Sequence, residues 1–310
     1  MNFAYRILFA FLYLLSLLPL RLLYVVSDIL FFPLFHWIKY RRKVVEKNLT
    51  ECFPEKSPSE ILKIEKDFYH FLCDYVVEVI KLFSISHEEM RRRMEFVGLD
   101  EVRANMEREG KKFCLLYLGH YCNWEYVASL SGWVSEMHGG QIYHLIYNRA
   151  FNELFLHLRG RFGGESILMK DTLRRIIELK QQPKKVMIGF ISDQAPKIEN
   201  MNHWTTFLNH DTSFFIGTER IGKQIDAAIY YVRVERIKRG YYRGTFELMS
   251  LHPKEYPDYE LTDMYARRLE EQIRREPAYW LWTHKRWKRT KEQWLAWKEQ
   301  REGNHIKKKT

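Results

Sequence analysis

Short apolar runs alternate with helix-like stretches through most of the second part of this 310-residue sequence. The apolar runs occupy residues 113–118, 141–147, 166–169, 186–191 and 227–235. The stretches with helical periodicity occupy residues 123–136, 150–159, 172–180 and 216–224. Strands that alternate with helices in this way are typical of a parallel sheet covered on both faces. The pattern therefore predicts an α/β domain over residues 96–310, with a mostly parallel central sheet flanked by helices.

The end of this domain follows a different pattern. Gly240 separates the apolar run at 227–235 from another at 242–251, which predicts an antiparallel hairpin. A closing helix is expected at 261–275, because Pro277 cannot continue it.

Residues 1–40 form an apolar N-terminal segment that predicts a membrane-anchoring helix. A helix over residues 3–18 would be roughly 24 Å long, short for a hydrocarbon core of about 30 Å, so spanning and interfacial positions both stay open. The next apolar stretch, 22–38, carries Asp28 and Pro33 and is expected to be a poor spanning helix. A basic cluster follows at once, made of Lys39, Arg41, Arg42, Lys43 and Lys47. By the positive-inside bias, this cluster places the body of the protein in the cytoplasm.

Residues 41–95 are expected to form a helical segment that packs on the α/β domain. Ser57 and Glu60 have the spacing of a capping box and precede a long stretch with one apolar face. Ser86 and Glu89 have the same spacing before a shorter, more charged helix.

The formal net charge of +11 favours an anionic partner. Nucleic acid, an anionic membrane surface and an acidic carrier protein all fit, and charge alone does not choose among them. The four cysteines form no C-x-x-C pair, which argues against a disulfide framework or a zinc site and favours a reducing compartment. His203, His210 and Asp211 fit no standard metal spacing, so no metal is expected.

The strongest local motif is His120-Tyr-Cys-Asn-Trp-Glu125, which follows the predicted strand at 113–118 and Gly119. Sites in α/β folds lie at the carboxyl ends of strands. A carboxylate at Glu125 that turned back to the His120 ring would fix its tautomer and leave the other nitrogen free to accept a proton from a hydroxyl. The alternative, a histidine that caps a helix with Glu125 in its first turn, has equal weight on these residues alone.

Three further segments carry candidate side chains. Asp193 and Gln194 follow the predicted strand at 186–191, although a loop aspartate that bonds its own backbone is as good an interpretation. Arg159 and Arg161 flank a glycine and could bind a phosphate or polarise a carbonyl, although such pairs usually face solvent. Residues 279–289 mix tryptophans with basic groups, which suits a lipid headgroup region or single-stranded nucleic acid. For Trp280 and Trp282 core packing is favoured.

These motifs resemble the bacterial lipid A biosynthesis acyltransferases, of the late lauroyl/myristoyl type within the wider lysophospholipid acyltransferase group. The resemblance covers nearly the whole chain, from the apolar N-terminus to the segment 282–288. Its most specific parts are Asn-Trp-Glu within the His-x4-Glu box and the closing His-Lys-Arg-Trp-Lys. Two positions depart from the family pattern, Cys122 in place of glycine and Phe207-Leu-Asn209 in place of Phe-Phe-Gly, and both bear on the acyl pocket.

The resemblance implies transfer of a fatty acyl chain from an acyl carrier protein or coenzyme A thioester to a hydroxyl of a lipid A precursor, without cofactor or metal. His120 would be the general base and Glu125 its orienting partner. The implied substrate-binding residues are Arg159, Arg161, Asp193, Gln194 and Asn123. The implied location is the bacterial inner membrane, with the catalytic domain facing the cytoplasm.

Other functions remain open on the sequence. Related enzymes acylate a hydroxyl or an amine of lysophospholipids, aminolipids or glycolipids. A nucleic-acid-binding protein would explain the charge, but neither the apolar N-terminus nor the His-x4-Glu box. A non-catalytic membrane scaffold would not require the intact box.

Overall fold

The computed structural model describes residues 3–307 and confirms the predicted α/β fold. Residues 1–2 and 308–310 of the predicted N-terminal and α/β segments lie outside the described residues. Within the described range, a seven-stranded sheet has the strand order β1-β9-β8-β2-β5-β3-β4. Its strands are β1 (Met94–Val97), β2 (Phe113–Leu118), β3 (His138–Tyr143), β4 (Glu165–Leu168), β5 (Val186–Ile191), β8 (Ala228–Lys238) and β9 (Tyr241–Ser250). Neighbouring strands are parallel except β8 and β9, which form the predicted antiparallel hairpin.

A small antiparallel hairpin, β6 (Trp204–Phe207) and β7 (His210–Ser213), stands beside this sheet and was not predicted. The helices of the α/β region are α6 (Leu99–Arg108), α7 (Trp124–Val127), α8 (Arg149–Gly160), α9 (Thr172–Lys180), α10 (Gly217–Ile225), α11 (Glu260–Arg275) and α12 (Lys291–Lys307). β2, β5 and α9 have the predicted bounds.

The predicted helix at 123–136 is wrong in length. Helix α7 is a single turn and passes into a 3-10 segment, Ala128–Gly132. Ser129 donates its hydroxyl to the carbonyl of Tyr126, and serine and glycine favour such local turns over a continued α-helix. The motif from His120 to Glu125 therefore lies on a compact turn rather than at the start of a long helix.

The preceding helical region contains α3 (Arg42–Cys52), α4 (Pro58–Lys81) and α5 (His87–Arg93). The capping box of Ser57 and Glu60 is confirmed, and the Ser86 hydroxyl accepts the amide N–H of Glu89 at the start of α5. One face of α4 is buried in the main hydrophobic core, with Phe68 and Phe71 among its contacts. That core is continuous with the sheet and with α11, so α4 is fixed to the domain that carries the site.

The N-terminal segment forms α1 (Phe3–Ser16) and α2 (Leu20–Phe32), and α2 continues through a π-helical turn, Pro33–Ile38. Together Leu20–Ile38 is 19 residues long and, among the described helices, is long and apolar enough to cross a membrane. Pro33 lies where the α-helix passes into the π-turn and does not end the helical segment. Length and composition alone do not establish a span, so the expectation that 22–38 makes a poor spanning helix stays a prediction. At 14 residues, α1 is shorter than this 19-residue segment.

Candidate active site

His120 and Asp193 lie at the carboxyl ends of two neighbouring parallel strands. β2 and β5 pair in a register that places Leu118 opposite Ile191, and each strand is followed two residues later by one of these side chains. Both side chains therefore emerge at the same edge of the sheet, the edge at which α/β folds place their sites. A Cβ atom at position 119 would lie 2.6 Å from Cδ1 of Leu269 on α11. The glycine at this position therefore lets the backbone before His120 pass close to α11.

The Asp193 carboxylate is the centre of a hydrogen-bond network. Its Oδ1 lies 2.6 Å from Nδ1 of His120, and its Oδ2 accepts the backbone N–H of His120 at 2.9 Å and the indole N–H of Trp280 at 2.8 Å. Asp193 is 2% exposed, and burial acts to raise its pKa. The charge of His120 and these hydrogen bonds outweigh burial and lower the pKa of Asp193 to about 2.

The ionised Asp193 fixes the tautomer of the histidine. A carboxylate can only accept hydrogen bonds, so Nδ1 of His120 carries the hydrogen and Nε2 presents a lone pair when the ring is neutral. Nε2 lies 3.3 Å from the side-chain nitrogen of Gln194, which is the donor in that contact. A hydroxyl in the place of this amide would lie where Nε2 of His120 can accept its proton.

The expected pairing of His120 with Glu125 is wrong in the structure. Glu125 is 3% exposed and accepts two hydrogen bonds from Arg159, at 2.8 Å from Nε and 2.5 Å from Nη2. Burial acts to lower the pKa of Arg159, but the charge and hydrogen bonds of Glu125 outweigh it and raise that pKa. Asp193 orients the imidazole instead, since the sheet order brings β5 beside β2.

Two other predicted substrate-binding residues make contacts within the protein. Arg161 donates to the backbone carbonyls of Leu82 and Ile85, where α4 ends. Asn123 is fully buried, and its Oδ1 accepts the amide N–H of Tyr126 at 3.1 Å, which caps α7. Both residues hold the site's surroundings together, and a contact with substrate remains a prediction for each of them.

The two departures from the family pattern occur at left-handed backbone positions. Cys122 has φ 52° and a fully buried side chain, and Asn209 has φ 66° in the turn of the β6–β7 hairpin. Glycine adopts this conformation most readily, and asparagine tolerates it better than most residues do. The chain therefore keeps the conformation that glycine would favour, and Cys122 adds a buried thiol to the turn 119–127.

The closing segment contributes to the site more than the sequence indicated. Trp280 is buried, as expected of a core residue, but its indole also holds Asp193. Nε2 of His284 accepts the amide N–H of Ala195 at 3.2 Å, and burial is the main cause that lowers the pKa of His284 to about 4. His284 was missed as a site residue, although its place in the motif 282–288 was a signal.

A second histidine–aspartate pair occurs elsewhere in the chain. Nε2 of His203 lies 2.7 Å from Oδ1 of Asp263, and the ring stacks on Tyr259 at 4.5 Å between centroids. Among the side chains that the structure describes, no three histidine, cysteine or acidic residues form a group that could hold a metal ion.

Comparison with known proteins agrees with this architecture. The family model described as bacterial lipid A biosynthesis acyltransferase matches residues 3–289. The chain is 24% identical over 259 residues to the lipid A biosynthesis palmitoleoyltransferase of Escherichia coli (strain K12), with 81% of this chain and 80% of that protein covered. The same values hold for the lipid A biosynthesis acyltransferase of Shigella flexneri.

The chain is therefore an acyltransferase, with an α/β sheet that presents a histidine–aspartate pair at its carboxyl edge. It belongs to the bacterial lipid A biosynthesis acyltransferase family, and its substrates are thus an acyl donor and a lipid acceptor.

Proposed function

We propose that this enzyme transfers a fatty acyl chain from a thioester to a hydroxyl of a lipid A precursor, with His120 as the general base. The observation that carries the proposal is the contact of Nδ1 of His120 with the buried Asp193 carboxylate at 2.6 Å. Nε2 accepts the proton of the acceptor hydroxyl, while the oxygen of this hydroxyl attacks the carbonyl carbon of the thioester. The carbon–sulfur bond breaks, the thiolate leaves, and the proton on Nε2 passes to the sulfur. Asp193 stabilises the imidazolium between these two steps.

Glu125 and Arg159 are the second functional pair in this proposal. The two bonds to Glu125 use Nε and Nη2 of Arg159, so the carboxylate fixes the plane of the guanidinium. The Arg159 side chain keeps 19% of its surface exposed, so it can contact an anionic group of either substrate. Glu125 acts through Arg159 rather than through the imidazole.

An acyl carrier protein or coenzyme A is the proposed carrier of the donor thioester. Both are acidic, and the net charge of +11 favours their approach. The proposed chemistry needs neither a metal nor a covalent acyl-enzyme.

The N-terminal helices supply the proposed membrane contact, at the cytoplasmic face of the inner membrane. Their outward side chains form an apolar surface that we call the apolar face. It consists of Ile7, Phe11, Leu14, Leu17, Leu22, Val25, Ile29, Phe32, Trp37 and Ile38, each more than half exposed. Exposed Lys39, Lys43 and Lys47 follow it and suit anionic headgroups.

The opposite side of α2 is held on the protein by polar contacts. The hydroxyl of Tyr24 donates to Glu78, the hydroxyl of Ser27 donates to Asp74, and the carboxylate of Asp28 accepts from Arg239. A helix that crossed the bilayer would place these polar groups in hydrocarbon, at a cost of several kcal/mol. We therefore propose that α1 and α2 lie in the membrane interface while the sheet remains in the cytoplasm.

Mass spectrometry of lipid A tests the acceptor. A strain that lacks this protein should lose one acyl chain, wild-type protein should restore it, and His120→Ala should not. The matched control is His203→Ala, which breaks the other histidine–aspartate pair and should restore the chain. If lipid A is the same in all strains, a lysophospholipid, aminolipid or glycolipid acceptor replaces lipid A, and the same extracts reveal which lipid has changed.

The donor is tested with purified protein. Acyl carrier protein and coenzyme A thioesters of the same chain length are offered to the same precursor, and the initial rates are compared. Transfer from both donors by His120→Ala at the wild-type rate would contradict the general-base assignment.

A further inference from the structure

A buried carboxylate outside the proposed chemistry contacts the turn 119–127, which carries His120 and Glu125 and which we call the catalytic turn. Glu78 on α4 is 0% exposed and accepts three hydrogen bonds. Its Oε1 accepts from the hydroxyl of Tyr24 at 2.8 Å, and its Oε2 accepts from Nδ2 of Asn123 at 2.7 Å and from the hydroxyl of Tyr242 at 2.8 Å. One side chain thus joins α2, β9 and the turn between His120 and Glu125.

The orientation of Asn123 makes this contact specific. Its Oδ1 accepts the backbone N–H of Tyr126, so its amide nitrogen must face Glu78. An amide nitrogen donates and does not accept, and the Glu78 carboxylate supplies the acceptor that it needs. Asn123 stands between His120 and Glu125 in the chain, so the position of its side chain sets the path of the backbone that carries both.

We propose that Glu78 is a positioning residue, which fixes the turn 119–127 through Asn123 and ties this turn to α2 through Tyr24. This inference rests on the proposed roles of His120 and Glu125. The consequence is a direct path of hydrogen bonds from a helix with an apolar face to the catalytic turn. Errors of about 1 Å in the placement of reacting groups cost roughly a hundredfold in rate, so loss of this contact acts on kcat.

Asp74 provides a matched control on the same helix. It is 3% exposed, lies one turn before Glu78, and accepts from Ser27, Arg236 and Arg239, all outside the catalytic turn. Asp74→Leu therefore disturbs α4 and its contact with α2 without touching Asn123.

The experiment compares Glu78→Met with Asp74→Leu, which each remove the carboxylate and roughly keep the shape of the side chain, in kcat, KM, thermal unfolding and hydrogen exchange of the peptide 119–127. Methionine has nearly the shape of glutamate but accepts no hydrogen bond from Nδ2 of Asn123, so kcat per folded protein should fall at least tenfold, with KM for the acceptor within about twofold of the wild-type value. Exchange in 119–127 should accelerate. Asp74→Leu should lower the unfolding temperature but leave kcat per folded protein and this exchange unchanged.

The reciprocal double variant gives a rescue test. Glu78→Gln combined with Asn123→Asp restores an amide–carboxylate hydrogen bond with donor and acceptor exchanged, and the aspartate still caps Tyr126. It should recover most of the lost kcat and the slow exchange. Equal effects of Glu78→Met and Asp74→Leu on kcat and exchange, or no recovery relative to Glu78→Met in the double variant, would overturn the proposal. Hydrogen exchange needs no substrate, so it decides the role of Glu78 even if wild-type protein fails to acylate lipid A, an outcome that would refute the proposed function alone.

Discussion

The Asp193 carboxylate accepts two hydrogen bonds from one residue, His120, at 2.6 Å from ring Nδ1 and 2.9 Å from the backbone N–H. The backbone contact fixes the chain at the end of β2, and the ring contact fixes the tautomer and the plane of the imidazole. A single buried anion therefore positions both the histidine and the loop that carries it.

Asp193→Asn should abolish most of the activity while leaving the fold intact. The asparagine oxygen can still accept the backbone N–H of His120, but its amide nitrogen then faces Nδ1. The neutral imidazole must then carry its lone pair on Nδ1 and its hydrogen on Nε2. Nε2 can therefore no longer accept the proton of the acceptor hydroxyl. We expect a kcat roughly 10³–10⁴-fold lower with little change in KM, as such a change does to a buried triad aspartate. Steady-state kinetics measure this, with Asp263→Asn as the matched control. Wild-type kcat in Asp193→Asn would show that the tautomer does not matter.

Because of the Asp193 carboxylate, the free energy of unfolding should depend on pH in the acid range. The pKa of Asp193 in the folded protein is about 2, below the usual 3.8. The contribution of this carboxylate to the free energy of unfolding is therefore fully present above the unfolded pKa and is lost as the pH falls towards 2. The free energy of unfolding of wild type, relative to Asp193→Asn, should fall by about 1 kcal/mol between pH 5 and pH 3. Urea unfolding at the two pH values checks this. Parallel pH curves for the two proteins would contradict the depressed pKa.

Arg159→Met should destabilise the protein as well as inactivate it. The change leaves the Glu125 carboxylate buried without its partner, which costs roughly 3–5 kcal/mol for a buried pair. The lower end applies because the Arg159 side chain is 19% exposed. The double variant Glu125→Gln and Arg159→Met removes the stranded charge and should regain most of the stability but none of the activity. Thermal unfolding and kcat/KM separate the two effects. Recovery of activity in the double variant would show that the pair is structural alone.

Arg161→Met should act on stability and not on substrate binding. The guanidinium satisfies two carbonyls beyond the end of α4, and the loss of hydrogen bonds to a charged group costs about 2 kcal/mol. KM for the acceptor and kcat per folded protein should stay at the wild-type values. A tenfold rise in KM without a change in unfolding temperature would restore Arg161 to the substrate-binding residues that the sequence predicted.

Much of the fold could be predicted because the strongest signals are local. The all-apolar β2 and the amphipathic α9 have the predicted bounds, since burial of a short run and helical periodicity are both visible within a few residues. β1 and the β6–β7 hairpin were missed because polar side chains interrupt or fill these four-residue strands, whereas the equally short β4 ends in an apolar run and was predicted. The stop of α7 depends on hydrogen bonds around Ser129, which residue type alone does not specify.

The site was predicted in part for a similar reason. His120 and Asp193 each follow a recognisable strand, so each was found as a strand-end residue. Their partnership depends on the strand order, which places β5 beside β2 although the residues are 73 positions apart. Glu125 was assigned to His120 because the two are close in sequence, whereas its partner Arg159 comes from α8.

Charged substitutions on the apolar face should weaken membrane binding without affecting the catalytic site. Ile29 on α2 is 64% exposed, and Ile177 on α9 is 63% exposed, which makes them a matched pair on different surfaces. Burial of an isoleucine side chain is worth about 1.5–3 kcal/mol, so Ile29→Asp should bind vesicles of phosphatidylglycerol and phosphatidylethanolamine at least tenfold more weakly. Ile177→Asp should bind as wild type does. High salt should weaken wild-type binding, because each lysine near an anionic surface contributes about 1 kcal/mol. A helix that crosses the bilayer would instead resist high salt and alkaline carbonate, so extraction of wild-type protein from membranes by these treatments distinguishes an interfacial α2 from a spanning one.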